Sequence, residues 1–125
     1  MFRIVLCIVA LLSINGQAYG LPIQLTSVRI TESGHEPGNS SSVCAGFTLT
    51  ASKVESFFST AEVITRHQEH YEYVEAPCYV RGTAKLSGTS VKWEIRAAGT
   101  GRVTRKDGSV LLLGDPKQKL EVPTK

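Results

Sequence analysis

The sequence predicts an α+β fold: one main helix packed on a four-stranded antiparallel meander sheet, tied by one disulfide. Three observations predict it. Val54, Phe57, Phe58 and Ala61 recur at spacings of three and four, which draws a single apolar stripe on a helix. Residues 78–86 and 90–98 alternate apolar and polar side chains around a short glycine turn, and a second pair of short strands follows. Cys44 and Cys78 bracket the helix, downstream of a segment built like a secretory signal.

Residues 1–20 read as that signal peptide. Arg3 is the positive start, residues 4–14 are an unbroken apolar run, and Ala18-Tyr19-Gly20 offers small residues for cleavage after Gly20. The run is shorter than the ~20 residues a membrane span needs, so no membrane anchor is expected after signal removal. Cys7 leaves with the signal. Residues 21–114 form a single α+β domain, and residues 115–125, with Pro116 and Pro123 and no periodicity, read as a flexible tail.

The formal net charge is +3, and it falls by one when Arg3 leaves. That is too little to argue for nucleic acid or an anionic membrane. In an oxidising compartment two remaining cysteines bridge. Cys44 and Cys78 lie 34 residues apart, and closing a loop of that size stabilises by roughly 4 kcal/mol in the chain-entropy account.

The elements follow in order. Residues 23–30 are rich in β-branched and apolar side chains and read as a first strand, though the alternation is imperfect. Residues 35–42 read as a loop, and residues 44–49 as a short extended piece. The helix starts at Thr50 as a direct cap or at Ser52 with Glu55 as a capping box. Its stripe continues from Ala61 to Ile64 or Thr65.

The first hairpin comes next. With Gly88-Thr89 taken as a type II′ turn, Leu86 faces Val91, Ala84 faces Trp93, Gly82 faces Ile95 and Val80 faces Ala97. A slip by one residue would set Lys85 against Val91. Arg81, Lys85, Lys92 and Arg96 then point away from the core, with Lys85 opposite Lys92 and Arg81 opposite Arg96. Like charges across a sheet are mildly unfavourable, so this face is a candidate surface for an acidic partner. The second hairpin pairs residues 101–105 with 109–113 around Asp107-Gly108, and Val103 faces Leu112.

A second candidate lies between the helix and Cys78. His67 and His70, three apart, are metal-capable side chains, but two ligands fall short of the three or four a specific site needs. Tyr71 and Tyr73 in the same stretch are aromatics with polar tips, typical of interaction surfaces. No G-x-S-x-G, H-E-x-x-H or phosphate-cradling glycine loop occurs. No catalytic residue, metal site or cofactor is therefore assigned.

The order C-x-x-F-x-L-T, V-x-x-F-F-x-x-A, P-C-Y-x-x-G, W-x-I, G-x-G and D-G is carried here by Cys44, Phe47, Leu49, Thr50, Val54, Phe57, Phe58, Ala61, Pro77, Cys78, Tyr79, Gly82, Trp93, Ile95, Gly99, Gly101, Asp107 and Gly108. Across residues 44–114 it resembles a family of small exported proteobacterial proteins of unknown function. Relatives with that pattern carry further cysteines after the last strand, and this chain has none there. The resemblance implies a bacterial source and a periplasmic location, and brings no activity with it.

The function expected is that of an exported, non-enzymatic binding protein. It is placed in the periplasm of a Gram-negative bacterium, or alternatively outside the cell. Its partner is an unidentified protein. One concrete version is an inhibitor or immunity protein against a toxin or a cell-wall hydrolase, whose carboxylate-rich cleft would suit the basic hairpin face. A metal- or small-ligand-binding protein using His67 and His70 is the alternative, and a small enzyme the third.

Overall fold

The computed structural model describes residues 23–38 and 41–120. The expected signal peptide lies outside them. The order of elements is β1 (Leu25–His35), α1 (Ser41–Cys44), α2 (Ala51–Thr60), β2 (Glu62–Ile64), α3 (Arg66–Glu72), β3 (Cys78–Leu86), β4 (Thr89–Arg96), β5 (Thr100–Thr104), β6 (Val110–Gly114) and a 3-10 turn at Pro116–Gln118.

The expected fold class is wrong. The strands form one six-stranded sheet in the order β1-β3-β4-β5-β6-β2, antiparallel throughout, and the helices are short. The meander β3 to β6 lies at its centre, and a further strand is added at each edge. β1 pairs with β3 and runs on to His35, through two register shifts, at Thr26/Arg29 and Ile30/Glu32. Ser27 adopts φ 51 within the first. Such bulges break the two-residue period by which a strand is recognised, and they blunt an exposed edge.

β2 is missing from the sequence reading for a different reason. Ile64 fits the helical stripe after Ala61, but α2 ends at Thr60. There Ser59 and Thr60 turn their hydroxyls back onto the Ser56 carbonyl, at 2.8 and 3.0 Å. Val63, Ile64 and Thr65 follow, a β-branched run that favours extended backbone. Ile64 is buried from strand β2, which pairs with β6. Thr65 then caps α3 with a full capping box: its hydroxyl accepts from Gln68 N at 3.1 Å, and Gln68 Oε1 accepts from Thr65 N at 2.9 Å.

The inner face of the sheet carries the core. Val80, Ala84, Val91, Trp93, Ile95, Val103 and Leu113 meet Val54 and Phe58 of α2. Thr50 caps α2, accepting from Lys53 N at 3.2 Å. Phe58 is fully buried and meets Trp93 edge-on at 6.3 Å between centroids, while Phe57 lies on Gly101. Burying each large apolar side chain stabilises by roughly 1.5–3 kcal/mol. The Cys44–Cys78 disulfide forms and ties the end of α1 to the start of β3. It is compatible with an exported, non-cytoplasmic protein. Among the described residues no helix is long and apolar enough to cross a membrane.

Both hairpin registers differ from expectation. In the first, Leu86 pairs with Thr89, Ala84 with Val91, Gly82 with Trp93 and Val80 with Ile95. The turn residues are Ser87 and Gly88, at φ 50 and 79, so the loop has the positive φ values of a type I′ turn. This register sets Gly82 against the indole: a Cβ there would meet Trp93 Cζ2 at 2.5 Å and the Arg29 carbonyl at 1.8 Å. The Trp93 indole N–H donates to the Thr83 carbonyl at 3.0 Å. In the second hairpin Val103 pairs with Leu111. Its loop spans three residues, with Arg105 N bonded to Ser109 O and Gly108 N to Arg105 O, the form that ends in a glycine bulge.

Residues 115–120 begin the segment expected to be a flexible tail, and they make hydrogen bonds of their own. Asp115 N donates to Gly99 O at 2.8 Å, its carboxylate accepts from Lys117 N, and Leu120 N donates to Glu72 O at 2.7 Å. Residues 121–125 lie outside the described residues.

Candidate functional site

The outer face of the sheet is organised in rows that run across the strands. One row is Glu32, Arg81, Glu94 and Arg102, on β1, β3, β4 and β5, each paired with the next. Its charges alternate in sign. Arg81 Nε donates to Glu94 Oε1 at 2.7 Å, Arg102 Nε approaches Glu94 Oε2 at 3.4 Å, and Arg81 Nη1 lies 3.7 Å from Glu32. Arg96 adds a third guanidinium to Glu94 at 3.5 Å, donates to Glu36 at 2.5 Å and to the Ala76 carbonyl at 3.2 Å. The Arg81 guanidinium stacks over the Tyr79 ring at 3.8 Å.

These pairings fix the charges. The hydrogen bond to Glu94 raises the pKa of Arg81 further. Burial acts to lower that of Arg96, and the bonds to Glu36 and Glu94 outweigh it. The Arg96 hydrogen bond holds the Glu36 carboxyl below its usual range. Glu94 is 7% exposed, a carboxylate sunk among guanidiniums.

The next row, two residues along, is Arg29, Thr83, Lys92 and Thr104 on the same four strands. Here cation alternates with hydroxyl. Beyond it stand Thr26, Lys85 and Ser90. Arg29, Thr83, Lys85, Ser90, Lys92 and Thr104 of these rows, with Arg105 and Lys106 just past β5, line a groove of about 770 Å³ that holds no carboxylate among the described residues. Among the described residues, none of Arg29, Lys85, Lys92, Arg105 and Lys106 makes an ion pair. Arg105 does lend some of its field to Asp107 in the neighbouring loop.

No protein-family model, curated protein or solved structure matches this chain. The geometry must therefore speak for the site.

The eight side chains expected to meet a partner fall into four settings. Lys85 and Lys92 are exposed in the basic groove. Arg81 and Arg96 are consumed by the carboxylate network. The expected oppositions of Lys85 to Lys92 and Arg81 to Arg96 do not occur: Lys85 pairs with Ser90, Thr83 with Lys92, Arg81 with Glu94 and Tyr79 with Arg96. Tyr73 is 3% exposed, with its ring on Gly114, and burial pushes its hydroxyl pKa up. His67, His70 and Tyr71 remain on the surface of α3, where Tyr71 meets the two imidazoles at 4.5 and 4.7 Å between centroids. His70 Nδ1 lies 3.3 Å from Glu75. Among the described residues no group of three or more His, Cys, Asp or Glu side chains could hold a metal ion.

A second cleft, of about 480 Å³, opens between residues 69–77 and the outer face. Its carboxylates are engaged: Glu94 and Glu36 by arginines, Glu69 by Arg102 at 3.8 Å and Glu75 by His70. Sequence reasoning missed Arg29 because β1 was not placed in the sheet, and missed Arg105 and Lys106 because they stand in the turn after β5, outside the alternating pattern. The signal that could have found the true register is cross-strand charge: sliding by two residues replaces two like-charge pairs with an Arg81–Glu94 pair.

Proposed function

We propose that this is an exported, non-enzymatic binding protein that docks the basic end of its outer sheet face on an acidic protein partner. Its most concrete form is an inhibitor or immunity protein, periplasmic in a Gram-negative bacterium, acting on a toxin or cell-wall hydrolase whose cleft is lined by carboxylates. One observation carries the reading: a groove that, among the described residues, has two arginines, three lysines and no carboxylate, next to a row in which every charge is answered. A lysine cluster left unpaired repels itself, and an acidic surface relieves that repulsion while steering the encounter. The disulfide supports an oxidising compartment.

The test is inhibition. Cell-wall hydrolases with paired catalytic carboxylates are assayed on glycan with and without the protein. The expected result is loss of hydrolysis for at least one, restored by Lys85→Glu with Lys92→Glu and by raised salt. If no hydrolase is slowed, and no envelope protein is retained in a way that depends on Lys85 and Lys92, the reading fails.

A further inference from the structure

The groove also constrains the shape of what it takes. Arg29, Lys85 and Lys92 stand on β1, β3 and β4. Arg29 and Lys92 each pair with Thr83, two residues before Lys85 on β3. Each is therefore a diagonal neighbour of Lys85, roughly 7–8 Å away at the backbone. Arg105 and Lys106 continue the series past Thr104, the partner of Lys92. The cations thus form a zigzag that crosses the strands, with Thr83, Ser90 and Thr104 hydroxyls between them. A polypeptide in extended conformation repeats side chains on one side every ~6.6–6.8 Å. Two such repeats span ~13 Å against the ~9.6 Å between Arg29 and Lys92, two strands apart, and the long arginine and lysine side chains take up the difference, so carboxylates at alternate residues come within reach of successive cations.

We infer that the groove binds an extended acidic segment of a protein, with carboxylates at every second residue, laid across strands β1 to β5. This inference rests on the acidic-partner reading and specifies its geometry. Three further features favour a peptide. Among the described residues the lining contains no aromatic side chain, so the bases of a single-stranded nucleic acid find no stacking platform there. The aliphatic stems of the lysines give apolar wall for the peptide's own methylenes. The threonine and serine hydroxyls can donate to carboxylate oxygens that a lysine leaves unmet.

The test uses the disulfide-bonded chain and two blocked octapeptides of equal charge, one alternating glutamate and threonine, the other four glutamates followed by four threonines. Binding is measured by calorimetry at about 0.05 M salt, where surface attraction is weakly screened. The alternating peptide should bind at least about tenfold more tightly. That binding should vanish in the Lys85→Glu/Lys92→Glu variant and persist in Lys53→Glu/Lys117→Glu, which changes the net charge equally on residues away from the groove. Equal binding of both peptides, lost with Lys85 and Lys92, overturns the extended geometry and leaves the acidic-partner reading standing. Absence of binding, or binding indifferent to Lys85 and Lys92, overturns both. Tripolyphosphate displacing the alternating peptide at lower concentration than the block peptide does would assign the groove to phosphate polymers instead.

Discussion

Two neighbouring rows of the outer face, on the same four strands, handle charge in opposite ways. The row Glu32–Arg81–Glu94–Arg102 alternates sign and is closed on itself, with its central carboxylate 7% exposed. The row Arg29–Thr83–Lys92–Thr104 alternates cation with hydroxyl, and among the described residues its cations make no ion pair. The backbone is the same; only side-chain choice differs. A closed row is part of the structure, because removing one member strands the others. An open row is free to be completed from outside, because no member supports a neighbour.

That contrast can be broken at its strongest point first. Glu94→Gln leaves three guanidiniums around a neutral amide. Breaking a buried pair is costly, but Arg81 and Arg102 are half-exposed, so about 2 kcal/mol is expected. In a domain of this size the melting temperature should fall by roughly 8–16 °C. An unchanged midpoint in thermal unfolding would make the row ornamental. The converse is Thr83→Glu, which gives the open row the sign alternation of the closed one. It should stabilise by about 0.5 kcal/mol and abolish binding of the alternating acidic peptide; retained binding would separate the groove from these cations.

Acid offers a milder probe. The folded pKa of Glu36 lies below its unfolded value because of Arg96. Its contribution is therefore complete above the ordinary glutamate value, ~4.3, and is lost as pH falls through the folded pKa. Between pH 6 and pH 2.5 the melting temperature of the wild type should fall more steeply than that of Glu36→Gln. Parallel curves would mean that the Arg96 bond adds nothing. The smallest effect belongs to the open row: Lys92→Gln should change stability by less than about 0.5 kcal/mol in denaturant unfolding, since nothing in the structure leans on Lys92.

Much of the scaffold was legible because it depends on local pattern. The four central strands, the apolar stripe of α2 and the bridge each follow from residues close in sequence or from chemistry with few options. The registers were not. In the first hairpin period-two alternation is blind to the slip of two residues, so Val80 faces inward in either register; in the second the slip is one residue, hidden because residues 110–113 are all apolar. What decides the first is the seat of Trp93 on Gly82 and the pairing of Arg81 with Glu94, and both are non-local. β1 was hidden by its own bulges, and β2 by an isoleucine that fits two periods at once. The candidate site was half visible: Lys85 and Lys92 could be read from the sequence. Arg29 joins them only through an edge strand whose partner lies more than fifty residues further along.

The seating of Trp93 has one more consequence. It is the sole tryptophan of the chain, it is 2% exposed, and its N–H is bonded to a backbone carbonyl. Tryptophan emission, excited at wavelengths where the four tyrosines do not absorb, therefore reports on a single site in the middle of the sheet. Emission should be blue-shifted while the core is intact and move to the red only when the sheet opens. A ligand settling on the outer face leaves that signal almost still, so occupancy of the groove and loss of the fold can be followed as independent signals in one cuvette.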